Sequence, residues 1–132
     1  MNLLAVVTGG SRGIGKAVVE QLLQEGFDVI TCARNQSDLT ALANQAGEQY
    51  PQSSLYTYVA DLSDENEVKA FGENILMIAQ HRTIDFVLHN TGVFLPGAIS
   101  EEEPGVLEHT MATNVYSAYH LTRSLIGKMK EQ

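Results

Sequence analysis

Leu3-Leu4-Ala5-Val6-Val7-Thr8-Gly9-Gly10-Ser11-Arg12-Gly13-Ile14-Gly15 is the stretch that decides the fold. Leu3 to Thr8 is a continuous apolar run without polar alternation, the mark of a strand covered on both faces. From Ile14 onward, Ile14, Ala17, Val18 and Leu22 recur at helical spacing, and Gly26 is placed to close that helix. Glycines at a strand-to-helix junction permit a tight turn, let backbone approach a phosphate and allow helix to pack closely on strand. The opening helix adds free N–H groups and the positive end of its dipole. Gly9, Ser11, Gly13, Ile14 and Gly15 are therefore the expected contacts of a bound pyrophosphate, with Arg12 within the same phosphate-binding turn.

The turn admits two other readings. Gly10 to Lys16 also matches Gly-x-x-x-x-Gly-Lys, the phosphate loop of nucleoside triphosphatases. The next residue is Ala17, which has no hydroxyl to offer a magnesium ion. A glycine-rich turn with no ligand is the remaining possibility, but its strand-to-helix setting is the one a dinucleotide requires.

Outward from this unit the elements alternate. Asp28 to Ala33 reads as a second buried strand, and Leu39, Leu42, Ala43 and Ala46 line a second helix before Pro51. Leu55 to Ala60, rich in Tyr, Thr and Val, reads as a third strand. Ser63 is the expected cap of a third helix, with Asp64 and Glu65 in its first turn and Val68, Phe71, Ile75 and Ile78 as its buried stripe. Asp85 to Asn90 reads as a fourth strand, and a loop with Pro96, Gly97 and Pro104 leads to a last helix. Met111, Val115, Ala118, Thr122, Leu125 and Met129 are its expected buried stripe. Alternating strands and helices with right-handed crossovers predict a doubly wound parallel α/β sheet, the Rossmann fold. No repeat, low-complexity tract or linker divides residues 1–132, so one folding unit is expected.

Composition narrows the partners. Eight Lys and Arg against sixteen Asp and Glu give a formal charge of -8, which disfavours nucleic acid and anionic membrane surfaces. Any bound anion must be held locally. Cys32, the single cysteine, has no intrachain partner and suits packing in a reducing compartment. No signal peptide or bilayer-spanning segment is read, so a soluble cytoplasmic protein is expected. His81, His89, His109 and His120 show no metal-ligand spacing, and no metal site is expected.

Thr8-Gly9-Gly10-Ser11-Arg12-Gly13-Ile14-Gly15 is the pattern Thr-Gly-x-x-x-Gly-x-Gly, and in this the chain resembles the classical short-chain dehydrogenases/reductases. Later segments agree in order. Asp61-Leu62 resembles the family's Asp-Val or Asp-Leu pair that contacts adenine, and His89-Asn90-Thr91-Gly92 resembles its Asn-Asn-Ala-Gly motif beside the cofactor. The resemblance implies cofactor contacts at Asp61, Leu62, Asn90, Thr91 and Gly92. Asn114, in Thr113-Asn114-Val115-Tyr116, matches the family's helix asparagine, which implies a catalytic role in holding a water of the proton relay.

An NAD-preferring site places a carboxylate at the end of the second strand, where it accepts the ribose hydroxyls and repels a 2'-phosphate. This chain has Ala33 there, followed by Arg34, and Arg12 stands just before Gly13. The resemblance places basic residues of NADP-preferring members at these two positions, so NADP(H) is the expected cofactor.

The resemblance also implies hydride transfer between nicotinamide and a small-molecule carbonyl or alcohol, with a tyrosine as general acid/base, a lysine four residues on that lowers its pKa and a serine that polarises the carbonyl. None of the five tyrosines here has Lys four residues on; Tyr116 is followed at that spacing by His120 and Tyr119 by Arg123. An arginine does not lend itself to the lysine's pKa shifts and proton relay. The chain is thus expected to be the N-terminal, cofactor-binding part of a single Rossmann domain, truncated after the fourth strand and its following helix and inactive by itself. Phe86, Val87 and Leu88 are then expected to form an unpaired edge. A homo-oligomer is expected, because family members pack through that last helix. The alternative is a non-catalytic NADP-binding or interaction module that ends near Gln132.

Overall fold

A computed structural model describes residues 1–132. Strand β1 (Leu4–Thr8) is buried at every position, as an unalternating apolar run is when a strand is covered on both faces. Strand β2 (Asp28–Ala33) lies parallel to it, with Val6 opposite Ile30. Strand β3 (Leu55–Val59) extends the sheet beyond β2, and β4 (Phe86–Leu88) pairs with the other side of β1. The sheet is parallel throughout, in the order β3-β2-β1-β4.

Helices α1 (Gly13–Gln24) and α2 (Gln36–Gln49) supply Val19, Leu23, Leu42 and Ala46 to a core that includes Val7 and Val29. Helices α3 (Glu65–Ile78) and α5 (Ser117–Glu131) supply Val68, Phe71, Ile75, Leu121 and Leu125 to a second core that includes Leu4, Val6, Ile30 and Cys32. Successive side chains of a strand point to opposite faces, so this division of β1 and β2 puts the two helix pairs on opposite sides of the sheet. The fold is the doubly wound parallel α/β arrangement that the alternation predicts.

Local chemistry sets the helix ends. Helix α1 stops at a Schellman motif: Gly26 N–H donates to the Leu23 carbonyl at 3.1 Å and Phe27 N–H to the Leu22 carbonyl at 3.0 Å. The expected cap of α3 at Ser63 is corrected by one residue. Asp64 is the cap, its carboxylate accepting from the N–H groups of Asn66 and Glu67, and Ser63 instead bonds Asp61. Aspartate and serine cap about equally well, so the pattern alone did not choose between neighbours.

Three further expectations need correction. Strand β3 ends at Val59 rather than Ala60, and β4 covers only Phe86–Leu88 of the expected Asp85–Asn90. The single last helix is three pieces: α4 (Val106–Met111), a π-helical turn (Ala112–Tyr116) and α5. A π turn shifts the helical phase. The buried positions are accordingly Thr113, Ser117, Leu121 and Leu125, while Val115 is exposed. Small polar residues line this face where α3 comes close; a Cβ on Gly72 would stand 2.9 Å from that of Ser124.

At the amino-terminal end of the strands lies a buried ion pair that the sequence did not announce. Arg82 Nη1 meets Asp28 Oδ2 at 3.0 Å, with both side chains about nine-tenths buried. Asn2 and the Ser54 N–H donate to Asp28 Oδ1 at 2.9 and 2.8 Å, and Arg82 Nη2 donates to the Asn2 carbonyl at 2.7 Å. Burial acts to raise the Asp28 pKa, but the bonds from Asn2, Ser54 and Arg82 outweigh it and hold the carboxyl below its ordinary value.

Candidate functional site

Where the strand order reverses, between β1 and β4, the carboxyl ends of the strands leave a crevice. A cleft of about 550 Å³ opens there. Its walls include Gly9, Ser11 and Arg12 after β1, Ala33 and Arg34 at the end of β2, Asp61 and Leu62 after β3, and Asn90, Thr91 and Gly92 after β4.

The glycine turn is held from two sides. Gly9, at φ +67°, donates to the Cys32 carbonyl at 3.0 Å, so β2 fixes its first residue. Gly10 N–H donates to Thr31 Oγ1 at 3.1 Å, and the same hydroxyl donates to the Val7 carbonyl at 2.6 Å. From the other side, the N–H groups of Asn90 and Thr91 both donate to Thr8 Oγ1 at 3.0 Å, and Asn90 Nδ2 donates to the Gly9 carbonyl at 3.2 Å. All of these bonds are internal to the protein. Beyond the turn α1 opens with Arg12 at its cap position and no side-chain cap bond, so the first N–H groups of the helix are free to meet an anion.

Thr31 is wholly buried, and its hydroxyl is the link between β1, β2 and the turn. Thr31→Val keeps the side-chain shape but leaves the Gly10 N–H without its acceptor. We expect a loss of about 1–3 kcal/mol in urea unfolding, with most of it recovered in Thr31→Ser. Stability equal to the parent in Thr31→Val would show that the hydroxyl does not hold the turn.

Charge in the cleft is mixed. Arg12 Nη2 and Nε both approach Asp38 Oδ2 at 2.8 Å, whereas Arg34 is exposed and forms no ion pair. Asp61 sits below its ordinary pKa, because the Ser63 hydroxyl donates to it at 2.7 Å; burial opposes this, and the Ser63 N–H, Arg34 and His109 reinforce it. Asp61 is therefore ionised at neutral pH. Cys32 borders the cleft but is buried, which pushes its thiol up to about 12 and leaves it unreactive. No group of three or more His, Cys, Asp or Glu side chains is placed to hold a metal.

Gly13, Ile14, Gly15 and Asn114 are not in the cleft wall itself. Gly13 and Ile14 are exposed at the start of α1, and Gly15 packs beneath the turn against Gly9 and Asn90. Asn114 Oδ1 accepts from the Val93 N–H at 2.6 Å and its Nδ2 donates to the Val93 carbonyl at 2.8 Å. Both polar atoms of that side chain thus clasp the loop after β4, which makes Asn114 a positioning residue for the cleft wall.

Sequence reasoning passed over Asp38, His109 and Thr113, which also line the cleft. Asp38 stands four residues after Arg34 in the first turn of α2, a signal that was available. His109 and Thr113 are four apart and share a helical face, but the loop preceding them gave no register. The hydroxyls of Thr91 and Thr113 are buried with no hydrogen-bond partner. Such groups are rare unless water or a ligand completes them.

The family model described as short chain dehydrogenase matches residues 3–132. A tropinone reductase homologue of Arabidopsis thaliana is 34% identical over 121 residues, covering 92% of this chain and 44% of that protein. A metagenomic short-chain oxidoreductase solved in complex with NADP is 27% identical with a TM-score of 0.85, covering 96% of this chain and 56% of that one. L-sorbose reductase from Gluconobacter frateurii, solved with NADPH and L-sorbose, is 25% identical with a TM-score of 0.89, covering 98% and 48%. The chain spans about half the length of the relatives it matches.

Proposed function

Because the chain belongs to the short-chain dehydrogenase family, we propose that it is the cofactor-binding half of an NADP(H)-dependent oxidoreductase acting on a small-molecule carbonyl or alcohol. One observation carries this reading: the cleft at the sheet's switch point brings the glycine turn, Arg12, Arg34, Asp61 and Asn90 together with no carboxylate at Ala33.

The residues present fit a dinucleotide with a 2'-phosphate. The free N–H groups at the start of α1 suit the pyrophosphate, and the guanidiniums of Arg34 and Arg12 suit the extra phosphate. Asp61 and Leu62, which line the same cleft, suit the adenosine end, and the unpartnered hydroxyls of Thr91 and Thr113 offer further polar contacts. When bound, that cofactor supplies hydride chemistry at its nicotinamide ring.

The chain's own residues bind and orient. Gly9, Ser11, Arg12, Gly13, Ile14 and Gly15 shape and charge the turn, Asn90, Thr91 and Gly92 form the opposite wall, and Asn114 fixes the loop that continues it. Since no tyrosine here carries lysine four residues on, proton handling is assigned to residues outside this sequence. The proposal includes self-association through α5, where Tyr119 and Ile126 are exposed, and a reducing cytoplasmic setting that suits the lone Cys32. No helix is long and apolar enough to cross a membrane.

Arg34→Ala tests the cofactor assignment. In the intact protein we expect NADPH binding to weaken by about ten- to a hundredfold, with NADH nearly unchanged, as read by fluorescence titration. Equal losses for the two nucleotides would overturn the assignment of Arg34 to the 2'-phosphate.

A further inference from the structure

The carboxylate that faces the two arginines of the cleft is not at the end of β2 but on α2. Asp38 occupies the third position of that helix, after the Asn35 cap, where an acidic side chain commonly turns back toward the cap N–H. Here its Oδ2 accepts instead from Arg12 Nε and Nη2, both at 2.8 Å. Arg12 is 77% exposed and Asp38 29%, so the pair is open to exchange with a solute. The cleft's one other carboxylate, Asp61, is engaged by Ser63. Of the two guanidiniums in the wall, then, Arg34 is free of any ion pair and Arg12 is already neutralised.

We propose that Asp38 sets the discrimination between NADPH and NADH by competing with the 2'-phosphate for Arg12. This rests on the reading of the cleft as an NADP(H) site. A 2'-phosphate has to draw the guanidinium off Asp38 and lie near that negative charge. NADH carries no such group and leaves the Arg12–Asp38 pair intact. Asp38 therefore lowers the affinity for NADPH selectively and narrows the gap between the two nucleotides.

Asp38→Asn in the intact protein is the test, with NADPH and NADH titrated at low ionic strength. Removing the competing charge is expected to tighten NADPH about three- to tenfold and leave NADH unchanged. Raising the salt shrinks this gain, because the pair is exposed. Asp38→Glu, which keeps the charge, is expected to retain the parental ratio, and in an Arg12→Ala background Asp38→Asn is expected to yield at most about a twofold gain. A merely structural role at the start of α2 lowers the melting temperature and weakens both nucleotides; it does not tighten one. An unchanged or reduced NADPH-to-NADH ratio in Asp38→Asn would overturn the inference while leaving the cofactor assignment standing. A parent protein that binds neither nucleotide would overturn the assignment itself, and the inference with it.

Discussion

Asp28→Ala is expected to destabilise the fold by about 3–5 kcal/mol, because it leaves the Arg82 guanidinium buried without its counter-charge. The carboxylate accepts from Asn2, Ser54 and Arg82 and so joins the amino terminus, the entry to β3 and the segment before β4. Arg82 Nε already has no partner, so no spare acceptor is at hand to replace the lost ones. The same group gives stability a pH dependence. Its pKa is lowered in the fold from the ordinary 3.8. A depressed carboxyl contributes stability that is complete above its unfolded value and lost as pH falls through the folded one. The parent protein is therefore expected to lose this contribution below about pH 4, and the deficit of Asp28→Ala to shrink over the same range. Denaturant unfolding of both proteins at pH 7 and pH 3 measures it. A deficit of equal size at both values would mean that the ionised carboxylate is not what joins these segments.

That ion pair marks where the sequence ceased to be legible. The runs Leu3–Thr8 and Asp28–Ala33 needed no tertiary knowledge, because short unalternating apolar stretches bounded by turn residues suit a doubly covered strand; β2 lies where it is predicted, and β1 starts one residue late, at Leu4. Partners 54 residues apart in sequence, as Asp28 and Arg82 are, leave no local pattern to read. The last helix failed for a different reason. A buried stripe through Val115 and Thr122 requires an uninterrupted helical period. The π turn at Ala112–Tyr116 breaks that period, and close packing on Gly72 favours small residues over apolar ones.

In the cleft the same division holds. Gly9, Ser11 and Arg12 of the cleft wall belong to one contiguous motif, and Arg34, Asp61 and Asn90, which the family resemblance singles out, stand just past strands whose carboxyl ends meet at one edge. Asp38, His109 and Thr113 reach that edge from helices, a turn or more past the strand ends. Their direction depends on helix rotation, which spacing alone did not supply.

Gly15→Ala is expected to weaken NADPH and NADH alike, by about a hundredfold, and the reason lies beneath the turn rather than in the ligand. A Cβ at Gly15 would overlap the Gly9 carbonyl and the Asn90 side-chain amide. Neither can retreat easily. Gly9 is tied to Cys32 and accepts from Asn90, and the Asn90 N–H is tied to Thr8. The strain falls on α1, whose first turn must back away by on the order of 1 Å, and overpacking of this kind costs about 1–3 kcal/mol of stability. The free N–H groups of that turn move with it, out of reach of a pyrophosphate that both nucleotides share. The symmetry of the loss separates this variant from Arg34→Ala, which removes a contact to the 2'-phosphate alone. Titration of both nucleotides, after circular dichroism has shown that the variant is folded, provides the measurement. A folded Gly15→Ala protein with parental affinity for NADH would mean that the pyrophosphate does not rest on the start of α1.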